Sequence, residues 1–187
     1  MQTEINKSLK ILKKGGNILY PTDTVWGIGC DATSNKAVAK IFAIKSRPEK
    51  KSFIILLDSI DKIKDYVEVF PPQVADLIRN YNRPLTIVFP GAKKIAKNLI
   101  AEDGSIAIRV VNHPFCKKLI ADFGKPLVST SANVSGSATP ILFRDISNYI
   151  KGKVDFIVDI DQHKLVPVSP STVIKIDNTG NYEILRS

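Results

Sequence analysis

The chain reads as an α/β or mixed α+β domain, and three observations say so. Short apolar runs recur from end to end, stretches with apolar residues at helical spacing separate them, and prolines and glycines punctuate the junctions. A first helix is predicted with Thr3 as its cap and Ile5, Leu9 and Leu12 on one face, stopped by Gly15-Gly16. Asn17–Tyr20 follows as a buried strand ending at Pro21. A second helix starts at Asn35, keeps Val38, Ile41 and Phe42 on one face, and ends near Arg47, because Pro48 disfavours helical backbone at the residue before it. Further strands are expected at 53–57, Leu85–Phe89, Ile106–Val110, 126–128, 154–158 and Thr172–Ile176, and further helices at 72–81, Pro114–Phe123 and 143–150.

A length of 187 residues fits one domain over 1–187, and 44% hydrophobic with 24% charged residues excludes wholesale disorder. No apolar run approaches the ~18–20 residues that span a bilayer. The start Met1-Gln2-Thr3-Glu4 lacks the order of a signal peptide, so the expected location is the cytoplasm, with no membrane partner. Cys30 and Cys116 are too far apart to suggest a disulfide framework or a cysteine zinc site, and read as buried small hydrophobes. The net charge of +9 favours anionic partners, whether spread over a solvated surface or gathered in a basic groove.

The familiar nucleotide and hydrolase signatures are missing: no Gly-x-x-x-x-Gly-Lys phosphate loop, no Gly-x-Gly-x-x-Gly, no His-Glu-x-x-His, no Gly-x-Ser-x-Gly. His113 and His163 are the only histidines, so a histidine triad or multi-histidine metal site is not expected. Three polar clusters remain at strand and helix ends, where α/β folds bind ligands. Residues 20–29, Tyr-Pro-Thr-Asp-Thr-Val-Trp-Gly-Ile-Gly, could hold an amino acid or a phosphate, or form a Ser/Thr turn that satisfies only itself. Residues 45–51 carry four cations, Lys45, Arg47, Lys50 and Lys51, suited to a phosphate or to a helix C-terminus. Residues 129–136, Ser-Thr-Ser-Ala-Asn-Val-Ser-Gly, read as a loop whose backbone could cradle an anion, or as a plain turn.

Together these clusters resemble the YrdC-like threonylcarbamoyl-AMP synthases, in the family's order and over most of the chain: Tyr-Pro-Thr-Asp-Thr from Tyr20, Lys-x-Arg-Pro from Lys45, and Ser-x-Asn-x-Ser-Gly from Ser131. The family's tetrad falls on Lys45, Arg47, Ser131 and Asn133 as catalytic residues. The resemblance implies an open, twisted, mixed β-sheet flanked by helices with a basic concave face. It implies an enzyme that joins L-threonine, bicarbonate or CO2, and ATP into L-threonylcarbamoyladenylate and pyrophosphate; nucleotidyl transfer of this kind calls for Mg2+, held mainly through the ATP phosphates, since the sequence shows no dedicated carboxylate cluster. A separate transferase complex would then carry the group to adenosine 37 of tRNA, giving N6-threonylcarbamoyladenosine (t6A), with direct tRNA contact possible. By motif, Arg47, Lys51, Ser105, Ser131, Thr139 and Arg186 face ATP, while Thr24, Arg109, Ser129, Ser171 and Thr172 face threonine. Arg109 is the candidate for the threonine carboxylate, and Lys45, Arg47 and Lys51 for neutralising phosphate. The sequence departs from some relatives at 53–57, an entirely apolar strand where they carry a polar residue for threonine. Residues 135–144 and 161–170 are candidate lids. The alternative from another class is a non-catalytic RNA-binding module, which the charge favours and the 7% aromatic content does not.

Overall fold

The computed structural model describes residues 1–46, 53–164 and 170–187. Arg47 and Lys51, two of the expected phosphate ligands, lie outside them. The strands are β1 (Asn17–Tyr20), β2 (Gly27–Cys30), β3 (Ile54–Leu57), β4 (Leu85–Phe89), β5 (Ile106–Val110), β6 (Leu127–Ser131), β7 (Phe156–Ile157), β8 (Thr172–Ile176) and β9 (Tyr182–Arg186). They form one mixed sheet in the order β7-β1-β2-β6-β3-β5-β4-β8-β9. The β1/β7, β3/β5 and β4/β8 pairs are parallel, and the rest antiparallel. The helices are α1 (Gln2–Lys13), α2 (Asn35–Lys45), α3 (Pro72–Asn80), α4 (Pro114–Phe123) and α5 (Asn148–Lys153).

Side chains alternate between the faces of a strand, and this sets where a site can lie. One face is sealed over most of its strands: Ile28, Ile55, Ile87, Ile106 and Ile108 join Val38 and Ile41 of α2 and Val74 of α3 in the larger core. On the other face α1 and α4 cover only part of the sheet, where Ile5, Leu12, Phe115 and Leu119 pack on Ile18, Tyr20, Leu56 and Leu127. Further along that face, among the described residues, this second core includes no residue of β5, β4 or β8. There Ser129, Arg109 and Thr86 stand in place of aliphatics and, with Val173, border a cavity of about 490 Å³.

Several local expectations are corrected. Helix α1 begins at Gln2 and its cap, Met1, makes no side-chain bond, so Thr3 is an ordinary exposed residue of the first turn. Residues 27–30, which the apolar pattern did not mark as a strand, form β2. Their glycines are needed because β2 lies tight against its neighbours: a Cβ on Gly29 would sit 2.5 Å from the Val128 carbonyl and 2.7 Å from the Tyr20 ring. Strand β6 runs on to Ser131 instead of ending at 128, since Thr130 and Ser131 pair with Ile28 and Gly27. The hydroxyls of 129–131 therefore stand on a strand. Helix α2 stops at Lys45, with Ser46 left-handed at φ 49°. The segment 143–150 splits into a 3-10 turn and α5, because Ser147 caps α5 by accepting the Ile150 N–H. A 3-10 helix over Ile60–Asp65 was not anticipated. Both cysteines are buried and free, as expected. Among the described residues no helix is long and apolar enough to cross a membrane.

Candidate active site

The loop after β1 is built by its own hydroxyls. Thr22 Oγ–H donates to the Val25 carbonyl at 2.8 Å and accepts the Thr24 N–H at 3.1 Å, the self-satisfied turn that one reading of the sequence expected. That turn also presents a ligand surface. Thr24 Oγ1 accepts a hydrogen bond from Arg109 Nη1 at 3.0 Å, and Asp23 Oδ1 lies 3.2 Å from Nη2 of the same arginine. Arg109, on β5, is only 3% exposed, and a guanidinium held that deep requires such partners. Its Nε has none.

Around Arg109 the cavity gathers Thr24, Ser129, Ser131, Thr139, Ser171 and Arg186, all named from the sequence. Arg186 Nη2 donates to the Ser171 carbonyl at 2.9 Å, so the last strand closes the wall. Phe53 and Ile54 make another wall apolar, which places no polar group there. Thr86 was missed. Its hydroxyl borders the cavity and shares a 2.9 Å hydrogen bond with Ser171 Oγ. The signal was present, since in Leu-Thr-Ile-Val-Phe the threonine alternates with Leu85 and Ile87, which face the core. Asp23 was also missed, although it lies inside the Tyr-Pro-Thr-Asp-Thr segment.

Other expected ligands stand elsewhere. Lys45 does not border the cavity. Its ammonium, in a residue 2% exposed, donates to the Ser131 carbonyl at 2.6 Å, the Asn133 carbonyl at 2.7 Å and Asn133 Oδ1 at 3.3 Å. The Ser135 N–H returns a bond to the Lys45 carbonyl at 2.9 Å. In this arrangement Lys45 clamps the 131–135 segment to the end of α2, a different task from the phosphate contact expected of it. Ser131 Oγ–H donates to Asn133 Oδ1 at 2.6 Å, so its hydroxyl is oriented by an amide oxygen, which is no base to make it a nucleophile. Ser105 lies outside the cavity lining, on the same face as Arg109, with its hydroxyl given to Asp103. Thr172 is buried away from the cavity, 3.5 Å from Arg83 Nη2. His113 pairs with Asp161 at 3.2 Å, in line with a structural histidine. Beneath the site, burial pushes the Tyr20 hydroxyl and the Cys116 thiol well up from their ordinary values, which removes both as acids or nucleophiles. No group of three or more His, Cys, Asp or Glu side chains suited to a metal occurs among the described residues.

A hydroxyl-lined cavity with a buried arginine in its wall is the centre of the site. The family model described as "Telomere recombination" (Sua5, YciO, YrdC) matches residues 10–187. The chain belongs to the Sua5/YciO/YrdC family. Members similar to it include the threonylcarbamoyl-AMP synthase of Pseudoalteromonas translucida, 37% identical over 161 residues, which are 84% of this chain and 86% of that protein. The enzyme of the same name from Coxiella burnetii is 36% identical over 184 residues, 97% of this chain and 96% of the relative. Among solved structures, P. abyssi Sua5 complexed with L-threonine superposes with a TM-score of 0.84 at 27% identity, covering 92% of this chain. This chain spans about half, 50%, of that Sua5 chain.

Proposed function

We propose that the chain is an L-threonylcarbamoyladenylate synthase, a nucleotidyltransferase that makes threonylcarbamoyl-AMP and pyrophosphate from L-threonine, bicarbonate or CO2, and ATP. The observation that carries this is the buried Arg109, held by Thr24 and Asp23 at the wall of a hydroxyl-lined cavity. Relatives named for this reaction, and a Sua5 complex with L-threonine, support it.

In the mechanism, Arg109 takes the threonine carboxylate through donors not already given to Thr24, fixing the amino acid's orientation. Thr24, Ser129 and Ser171 line the space around it. The threonine amine adds to CO2, and a carbamate oxygen attacks the α-phosphorus as pyrophosphate leaves. Such a displacement needs position and charge neutralisation more than a protein nucleophile, which fits a site with none. Ser131, Thr139 and Arg186 face the nucleotide, and Lys45 acts by holding Ser131 and Asn133 in place. Arg47 and Lys51 supply the remaining cations. Among the described residues there is no carboxylate cage for Mg2+, and the ATP phosphates would hold the ion and let it neutralise their charge.

The product passes to a threonylcarbamoyl transferase complex for t6A formation at tRNA position 37, in the cytoplasm. An RNA-binding module has only the net charge in its favour. The test is pyrophosphate release from ATP by the purified protein with Mg2+, comparing L-threonine, L-serine, L-valine and no amino acid, with and without bicarbonate. Release that needs L-threonine and bicarbonate together is expected. Release indifferent to either sinks the assignment.

A further inference from the structure

Asp23 is the one carboxylate paired with Arg109 among the described residues. Its side chain is about a tenth exposed and does not border the cavity. Its two oxygens are split between two elements: Oδ1 lies 3.2 Å from Arg109 Nη2, and Oδ2 accepts the Asn112 N–H at 2.9 Å, just beyond β5. The loop that carries it is fixed by the Thr22 bonds to Val25 and Thr24, so the carboxylate is in place independently of any substrate. Thr24 holds the other terminal nitrogen of Arg109. Between the Thr24 hydrogen bond and the Asp23 ion pair, whose Oδ1 makes no hydrogen bond, the guanidinium keeps its third nitrogen, Nε, buried and without a partner. Carboxylate recognition by arginine depends on the plane of the fork, and a planar group held on two sides is set in advance.

We infer that Asp23 is the positioning residue for substrate recognition: it orients Arg109 and balances its charge at the wall of the cavity that takes the carboxylate of the amino acid. This rests on the proposed function, which makes that carboxylate the ligand. Two effects of opposite sign meet here. A carboxylate beside the arginine repels an incoming one, while a fixed arginine spends no freedom on binding. The two contacts on the guanidinium and the backbone anchor at Asn112 make orientation the larger effect.

The test is D23N, which keeps an oxygen for the Asn112 N–H and removes the charge, read by calorimetric titration with L-threonine and separately with ATP. The threonine Kd and KM should rise about tenfold or more, the usual cost of losing an outer partner of a ligand. The ATP KM and kcat at saturating threonine should stay within about twofold. D23E, with the charge restored one methylene further out, should recover part of the loss. Threonine binding by D23N as tight as the unsubstituted protein's, or tighter, overturns the inference. So does a parallel loss of ATP and threonine binding with a lowered Tm, the mark of a merely structural residue. Failure of the unsubstituted protein to bind L-threonine at all would instead overturn the proposed function, and the inference with it.

Discussion

Strand β5 has two faces with opposite fates. Ile106 and Ile108 are sealed in the larger core, and Arg109, the next residue, is just as inaccessible at 3% yet borders the cavity. Burial does not distinguish them. What differs is the cover: helices α2 and α3 contribute to the core on the isoleucine face, whereas α1 and α4 leave the arginine's stretch of the other face open. A buried charge is tolerated only where the fold supplies its partners, and here Asp23 and Thr24 supply them from the loop after β1. Where a fold accepts that cost without sealing the space beside it, a site is the natural reading.

The comparison breaks most severely at Lys45, which anchors the 131–135 segment on the open side. Lys45→Met should strip the Asn133 carbonyl of its donor, leave the Ser131 carbonyl only the Asn133 N–H and Asn133 Oδ1 only the Ser131 hydroxyl, and lower turnover about a hundredfold or more, on the order of 3 kcal/mol. Steady-state pyrophosphate release measures it, and near-normal turnover would remove the clamp from the mechanism. Next comes Arg109→Ala, expected to raise the threonine KM by about a hundredfold, roughly 3 kcal/mol, with a much smaller change for ATP. Unchanged threonine kinetics would take Arg109 out of the carboxylate role. On the opposite face, Ile108→Val should cost about 1 kcal/mol of stability in a urea melt and leave the threonine KM alone. A shift in KM there would show that the faces are not independent.

The smallest effect concerns the edge of the open face. Lys175, with Ser105, holds the Asp103 carboxyl down at about 2 from an ordinary 3.8. A depressed carboxyl contributes stability that is present above its unfolded value and lost as pH falls from about 4 toward 2. The pair is half exposed, so the contribution is a fraction of 1 kcal/mol. Asp103→Asn should flatten that part of the acid limb of an unfolding curve, and an unaltered limb would contradict the pairing.

Much of this was legible in the chain. The strands Leu85–Phe89, Ile106–Val110 and Thr172–Ile176 and the helix Pro114–Phe123 have the bounds their apolar patterns suggest, because local pattern and tertiary burial agree there. Strand β2 was hidden because Gly-Ile-Gly-Cys has the composition of a turn, and only pairing with β1 and β6 makes it extended. Of the site, the hydroxyls and arginines follow from motif and resemblance. The part Lys45 plays does not, since its partners Ser131 and Asn133 are distant in sequence and nothing local shows that the ammonium turns into their carbonyls. Asp23 was hidden for a similar reason: its meaning comes from Arg109 and Asn112, on another strand and just past it.

The account's central claim is that the uncovered stretch of sheet around Arg109 is where the amino acid binds. A crystal structure of the protein with L-threonine tests it most directly. Threonine density in the cavity, its carboxylate on Arg109 and its body against Thr24, Ser129 and Ser171, is the predicted result; threonine bound elsewhere, with Arg109 still held only by Asp23 and Thr24, would contradict it.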